Sequence, residues 1–236
     1  MKRVFLAGAT GVIGQRLVPL LETAGYTVTA TTRSPEKAQR LRAQGVEAVV
    51  VDMFDAEAVV RTVIAARPDV LIHQLTDLPK TFDATAMEAA RIRNARLRAE
   101  TAPTLMRAAR AAAARRVIVQ SICFAYVSGA LPHLESDPLA APSVQVMETA
   151  ALTTDGVEGV ILRYGRLWGP GTWSDGPAES PTVHVDAAAH AALLAITRGE
   201  PGIYNIAADD GTVAITKART ELGFDPEFRH FEQADA

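Results

Sequence analysis

The feature that most constrains this chain is a glycine-rich turn between a short apolar run and an amphipathic segment, all within residues 1–25. Val4-Phe5-Leu6-Ala7 reads as a buried strand and Gly8-Ala9-Thr10-Gly11-Val12-Ile13-Gly14 as a turn. The stretch carrying Leu17, Val18, Leu20 and Leu21 then reads as a helix. Gly8 permits a tight exit from the strand, where φ turns positive. Gly11 lets the backbone approach a pyrophosphate, and Gly14 lets the helix pack closely on the sheet. The free N–H groups and the dipole at the helix start attract phosphate. Strand, turn and helix in this order predict the first βα unit of a dinucleotide-binding fold. Its phosphate-side residues are Gly8, Thr10, Gly11, Val12, Ile13 and Gly14.

The second strand, Thr27 to Thr31, runs into Thr32-Arg33-Ser34, and no acidic residue appears before Glu36. An acid at that place would hold the ribose hydroxyls of NAD. A guanidinium at Arg33, with Lys37 one turn on, suits a 2′-phosphate instead, so NADP is expected over NAD. Ser34 caps a helix to Gln44 with Pro35 at its first position. Further strands are read at Val46–Val51, Asp69–Gln74, Arg116–Ser121, Val160–Arg163 and Gly202–Ala207, with Asp55 capping a helix over 56–66. A long helical region spans about 83–114, interrupted by Pro103, and another helix runs roughly from Ala141 to Thr153. This alternation predicts an α/β fold, a Rossmann-type doubly wound parallel sheet. Residues 1–165 are expected to form the NAD(P)-binding domain. Residues 166–236 form a small region that partly completes the sheet, at about 183–208, and partly caps a reduced substrate pocket.

At 236 residues the chain can bury one full core. A net charge of −3 offers no electrostatic case for nucleic acid or an anionic membrane, which leaves a small molecule as the expected ligand. The single cysteine, Cys123, excludes an internal disulfide framework and fits a cytoplasmic setting. The first apolar run breaks at Gly8, too early for a signal peptide, and no segment approaches the ~20 apolar residues of a membrane span. His184 and His190 do not have the close spacing of zinc motifs, and no metal site is expected.

The G-x-x-G-x-x-G spacing has company further along the chain. Gln120-Ser121 closes the fifth strand and Phe124-Ala125-Tyr126 follows. Arg163-Tyr164-Gly165-Arg166-Leu167-Trp168-Gly169-Pro170-Gly171, then Val183-His184-Val185-Asp186, come later. Together these motifs resemble the extended and atypical branches of the short-chain dehydrogenase/reductase superfamily, the epimerase/dehydratase-like members, over about residues 1–208. The resemblance implies that Asp52, with Met53, lies at the adenine, and that Leu75 and Thr76 lie near the nicotinamide ribose with His73 as titratable neighbour. It implies Ser121 at cofactor and substrate, with Tyr126 and Tyr164 as the other catalytic candidates. Arg98 stands where the family often has Asn, and Asn94 sits one turn earlier. By analogy, a homodimer would form through the helices flanking the fifth strand.

Two departures stand out. Standard members carry a Tyr and, four residues on, a Lys at the start of the helix between the fifth and sixth strands. The Tyr is the general acid or base, and the ammonium lowers its pKa and orients the nicotinamide ribose. Ser143-Val144-Gln145-Val146-Met147-Glu148 has neither, and no lysine occurs between Lys80 and Lys217. The segment between Gly171 and Val183 is also much shorter than the substrate cap of fuller members. The expectation is an NADP(H)-binding oxidoreductase acting on a small carbonyl or hydroxyl substrate without the usual dyad. The alternatives are a regulatory or sensor module that only binds NADP(H), and a non-redox lyase, isomerase or cyclase.

Overall fold

The computed structural model describes residues 2–79 and 81–230; the end of the expected C-terminal region, 231–236, and Lys80 lie outside the described residues. Seven parallel strands form the central sheet: β1 (Arg3–Ala7), β2 (Thr27–Thr32), β3 (Glu47–Val50), β4 (Val70–His73), β5 (Arg116–Ile122), β6 (Glu158–Tyr164) and β9 (Gly202–Ile206). Their order, β3-β2-β1-β4-β5-β6-β9, reverses direction between β1 and β4, the topology of a doubly wound Rossmann sheet. Register pairs Ala7 with both Thr31 and His73, so the ends of β1, β2 and β4 open onto one edge. A crevice outside the carboxyl ends of the strands is where such sheets bind ligands.

Helices cover both faces, because strands buried on two sides need apolar cover on each. On one face α1 (Val12–Thr23) packs with α6 (Val185–Leu194) over Leu6, Ile72 and Leu162. On the other, α3 (Ala56–Ala66), α4 (Ala84–Ala111) and α5 (Pro142–Leu152) cover Phe5, Leu71 and Ile161. The small helix α2 (Pro35–Ala43) begins at Ser34, whose hydroxyl accepts from the Lys37 N–H. Asp55 and Asp83 cap α3 and α4 in the same way. A short second sheet pairs β7 (Arg166–Trp168) with β8 (Thr182–His184) in parallel, a pairing between distant segments that no local pattern announces.

One expected break is absent. α4 runs unbroken through Pro103. Proline removes one N–H and one intrahelical bond. Around it, however, the Thr101 and Thr104 hydroxyls donate to the Leu97 and Glu100 carbonyls, and Ala102, Leu105 and Met106 are buried. Tertiary packing outweighs the local penalty.

The opening turn is tightly specified. Gly8 has φ of +103°, and a Cβ there would stand 2.5 Å from the Gln74 carbonyl oxygen after β4. Gly8→Ala should therefore lower stability by on the order of 2–3 kcal/mol, combining backbone strain with a forced shift between β1 and β4. A chemical denaturation midpoint unchanged from the parent would show that the turn is not under this constraint.

Candidate active site

The glycine turn and the loops after β4, β5 and β7 gather at the carboxyl edge of the sheet. The Gly11 N–H donates to the Gly8 carbonyl, tightening the turn, and Gly11 is the N-cap of α1. Unlike the caps of α2, α3 and α4, it offers no side-chain acceptor to the N–H groups of the first helical turn. A cleft of about 250 Å³ lies beside this helix start, lined by Val12, Gln15, Arg16, Pro170 and Gly171. The Arg16 guanidinium bridges to the Pro170 carbonyl and lies 3.7 Å from Asp186. Uncapped N–H groups beside an open cleft fit a pyrophosphate.

The adenosine-side candidates follow β2 and β3. Arg33 and Lys37 are exposed, and among the described residues neither side chain makes an ion pair. The nearest acid in sequence, Glu36, is taken by Arg40. Asp52 is exposed, and its carboxylate accepts from the Phe54 N–H. Met53 is buried, its Sδ receiving the Thr31 hydroxyl at 3.9 Å. Leu75 is half-buried and Thr76 exposed on the loop leaving β4.

The three hydroxyl candidates have distinct surroundings. Ser121 is buried and donates to Glu148 Oε1 at 2.5 Å. Glu148, on α5, is clasped by Arg163 of β6 through Nε at 2.9 Å and Nη2 at 2.7 Å. Arg163 also donates to the Tyr126 hydroxyl at 2.9 Å, and that hydroxyl donates to Asn205 Oδ1 at 2.7 Å. Ser121 and Tyr126 thus belong to one network. Burial, against the pull of Arg163, pushes the Tyr126 phenol up to about 12. Tyr164 points to the opposite face of the sheet, 2% exposed, with its hydroxyl held by Gln74 and its pKa driven up by burial. α5 presents neither Tyr nor Lys.

His73 ends β4 fully buried. Its Nδ1 accepts from the Leu75 N–H, so Nε2 carries the proton, and Nε2 has no hydrogen-bond partner among the described residues. Asn94, buried on α4, clasps the backbone N–H and carbonyl of Asp77 at 2.9 Å each, fixing the loop between them. Over this edge Trp173 donates from Nε1 to the Pro79 carbonyl and meets Phe82 edge-to-face at 5.7 Å, so the loop after β7 is tied to the loop after β4. His184 caps α6, accepting from the Asp186 N–H. Among the described residues no cluster of three His, Cys, Asp or Glu could hold a metal ion, and no helix is long and apolar enough to cross a membrane.

Sequence reasoning missed Glu148 as the partner of Ser121, Asn205 as the partner of Tyr126, and the Trp173 strap. Buried Arg and Glu on neighbouring elements were the available signal, since such residues are rarely buried unpaired.

Fold and groove together are those of a Rossmann-type dinucleotide-binding protein. The model of an NAD(P)H-binding family matches residues 8–197, and the chain belongs to that family. It is 36% identical over 246 residues to a 3-diazoavenalumate denitrifying reductase of a Streptomyces species, covering 88% of this chain and 76% of that one. Solved structures share the fold. A Thermotoga maritima UDP-glucose 4-epimerase with UDP-glucose has TM-score 0.78 at 17% identity, covering 96% of this chain and 94% of that one. A Streptomyces venezuelae dTDP-glucose 4,6-dehydratase with NAD bound has TM-score 0.77 at 18% identity, covering 96% and 92%.

Two outcomes are expected. Glu148→Gln should cost about 3 kcal/mol, because it leaves the buried Arg163 charge uncompensated; an unaltered urea midpoint would contradict this. Burial lowers the His73 imidazole to about 4. The unfolded chain, titrating near 6.5, then takes up the proton first as pH falls. Stability should therefore decline between pH 6.5 and about 4, by at most on the order of 3 kcal/mol from this group. His73→Gln should flatten that part of the stability–pH curve, and an identical slope would exclude His73 as its source.

Proposed function

We propose that this protein is an NADPH-dependent reductase whose acceptor needs hydride but no proton from the enzyme, an aryl diazo compound being the fitting class. The observation that carries the reading is the engagement of Ser121 and Tyr126 with Glu148, Arg163 and Asn205, beside an α5 that has neither Tyr nor Lys. Reducing a carbonyl adds a hydride to carbon and a proton to oxygen, which calls for a donor matched to the operating pH. A phenol pushed up to about 12 and bonded to a guanidinium is a poor donor near neutrality. An aryl diazonium differs: one hydride added and dinitrogen lost leaves the arene, with atoms and charge balanced and no proton required. The Streptomyces relative, named a denitrifying reductase of a diazo compound, agrees with this chemistry.

Bound NADPH would supply the hydride. In our reading Gly8, Thr10, Gly11, Val12, Ile13 and Gly14 hold its pyrophosphate, Arg33 and Lys37 its 2′-phosphate, and Asp52 and Met53 its adenine. Leu75, Thr76 and Ser121 then border its nicotinamide end. Tyr126 and Ser121 act by position, keeping the floor of the site rigid, and Tyr164 is a core residue. Residues 1–165 are the dinucleotide-binding domain, and 166–236 complete the sheet and cap the pocket through the Trp173 loop. We further propose a homodimer through α4 and α5, which light scattering at micromolar concentration would reveal.

The test is NADPH oxidation with a benzenediazonium salt, followed by dinitrogen release, beside a panel of aldehydes and ketones. Turnover is expected with the diazonium and retained in Tyr126→Phe, whereas losing a general acid would cost on the order of 10²–10⁴. Turnover confined to carbonyls and abolished in Tyr126→Phe would replace this reading with the carbonyl reductase. Binding without any turnover would favour the sensor or non-redox readings. Arg33→Ala should reduce the preference for NADPH over NADH by about tenfold in Kd, the worth of one charge-assisted phosphate contact. Equal preference in parent and variant would remove Arg33 from the site.

A further inference from the structure

We propose that Arg98 is the cation that holds the reactive half of the bound dinucleotide, through the ribose hydroxyls and carboxamide beside the nicotinamide. This rests on NAD(P)H occupying the groove, and it gives a role to a residue outside the glycine turn and the hydroxyl network.

Asn94, Arg98 and Thr101 follow one another at helical spacing and share one face of α4. That face is turned inward, since Asn94 is 4% exposed and Thr101 fully buried. Asn94 locates it, because its amide grips Asp77 in the loop leaving β4. Arg98 follows one turn on along the same face, on the helix that packs against β4, and its positive charge adds to the lowering of the His73 pKa. Burial depresses its pKa, and no acid compensates. The neighbouring carboxylates are already taken, Asp77 by Arg93 at 3.3 Å and Glu100 by Arg96 at 2.8 Å. Among the described residues Arg98 has no ion pair or side-chain hydrogen bond. The His73 Nε2–H is likewise a donor without an acceptor among the described residues.

A half-buried guanidinium with no acid partner among the described residues, on the wall that also holds the His73 donor, is suited to acceptors from outside the chain. The oxygens at the nicotinamide end of a dinucleotide provide them at this edge of the sheet. α5 carries no lysine, and among the described residues Arg98 is a cation without an ion pair on the helix face beside that end. A positive charge here tolerates the neutral reduced ring better than the cationic oxidised one.

The test is equilibrium binding by calorimetry of NADPH, NADP+ and adenosine 2′,5′-bisphosphate to the parent, Arg98→Met and Arg98→Lys. Arg98→Met should weaken NADPH about tenfold, weaken NADP+ less, and leave adenosine 2′,5′-bisphosphate unchanged; Arg98→Lys should recover part of the loss. Its Tm should hold or rise, because an unpaired buried charge is removed, whereas a structural arginine would lower it. Equal losses for the bisphosphate and the dinucleotides, or an effect confined to the acceptor's KM, would overturn the assignment. If the parent binds NADPH and Arg98→Met binds it as tightly, Arg98 alone is displaced. If the parent binds none of the three ligands, the cofactor reading falls and this inference with it.

Discussion

The pairing of Glu148 with Arg163 organises the site end of this molecule. Two charges buried side by side carry a desolvation cost that their attraction offsets only with good geometry and further hydrogen bonds. The protein supplies both. Arg163 meets Glu148 with two nitrogens and spends a third on Tyr126 and the Glu135 carbonyl. The spare valence of Glu148 is filled by Ser121. Through these bonds α5, β5 and β6 and the loops after β5 are held as one unit, and Asn205 adds β9. Because removing any member strands a buried polar group, the unit is rigid by necessity.

That rigidity bears on the chemistry. The same residues that a reductase of this fold could use to move a proton are here used to hold the site together. The groove at the sheet edge has, meanwhile, a helix start with no side-chain cap, a glycine whose Cβ space is occupied by a neighbouring backbone and, among the described residues, exposed cations after β2 without an ion pair. On the reading proposed above, a site that binds a hydride donor without offering a matched proton donor suits an acceptor that is electrophilic from the outset. The loop carrying Trp173 reaches the loop after β4 through only a short segment, by the Trp173–Pro79 hydrogen bond and the Trp173–Phe82 ring contact.

Most of the sheet could be read from the chain. Strands such as β1, β4 and β5 contain short apolar runs and β2 is a β-branched threonine and valine run, and caps such as Ser34 and Asp55 mark helix starts by local hydrogen bonding alone. Where the reading failed, a distant contact overrode a local rule. Pro103 should interrupt a helix, yet the core packing of Leu105 and Met106 carries α4 through it. The β7–β8 pair joins residues 166–168 to 182–184, and no period in either segment encodes the partner. At the site, the glycine turn was legible because its chemistry is contained in seven consecutive residues. The Ser121–Glu148–Arg163–Tyr126 network was not, because its members come from four separate places in the chain.

The sequence by itself determined that a parallel α/β sheet would form around a glycine turn, and that the helix between β5 and β6 would carry neither Tyr nor Lys. Both follow from residue types and their spacing. Tertiary structure alone decided which hydroxyls are engaged and, among the described residues, which acids are already paired and that Arg98 is not. Those are questions of partnership, and partners are chosen in space by burial, since a buried polar group must find a complement wherever the fold brings one.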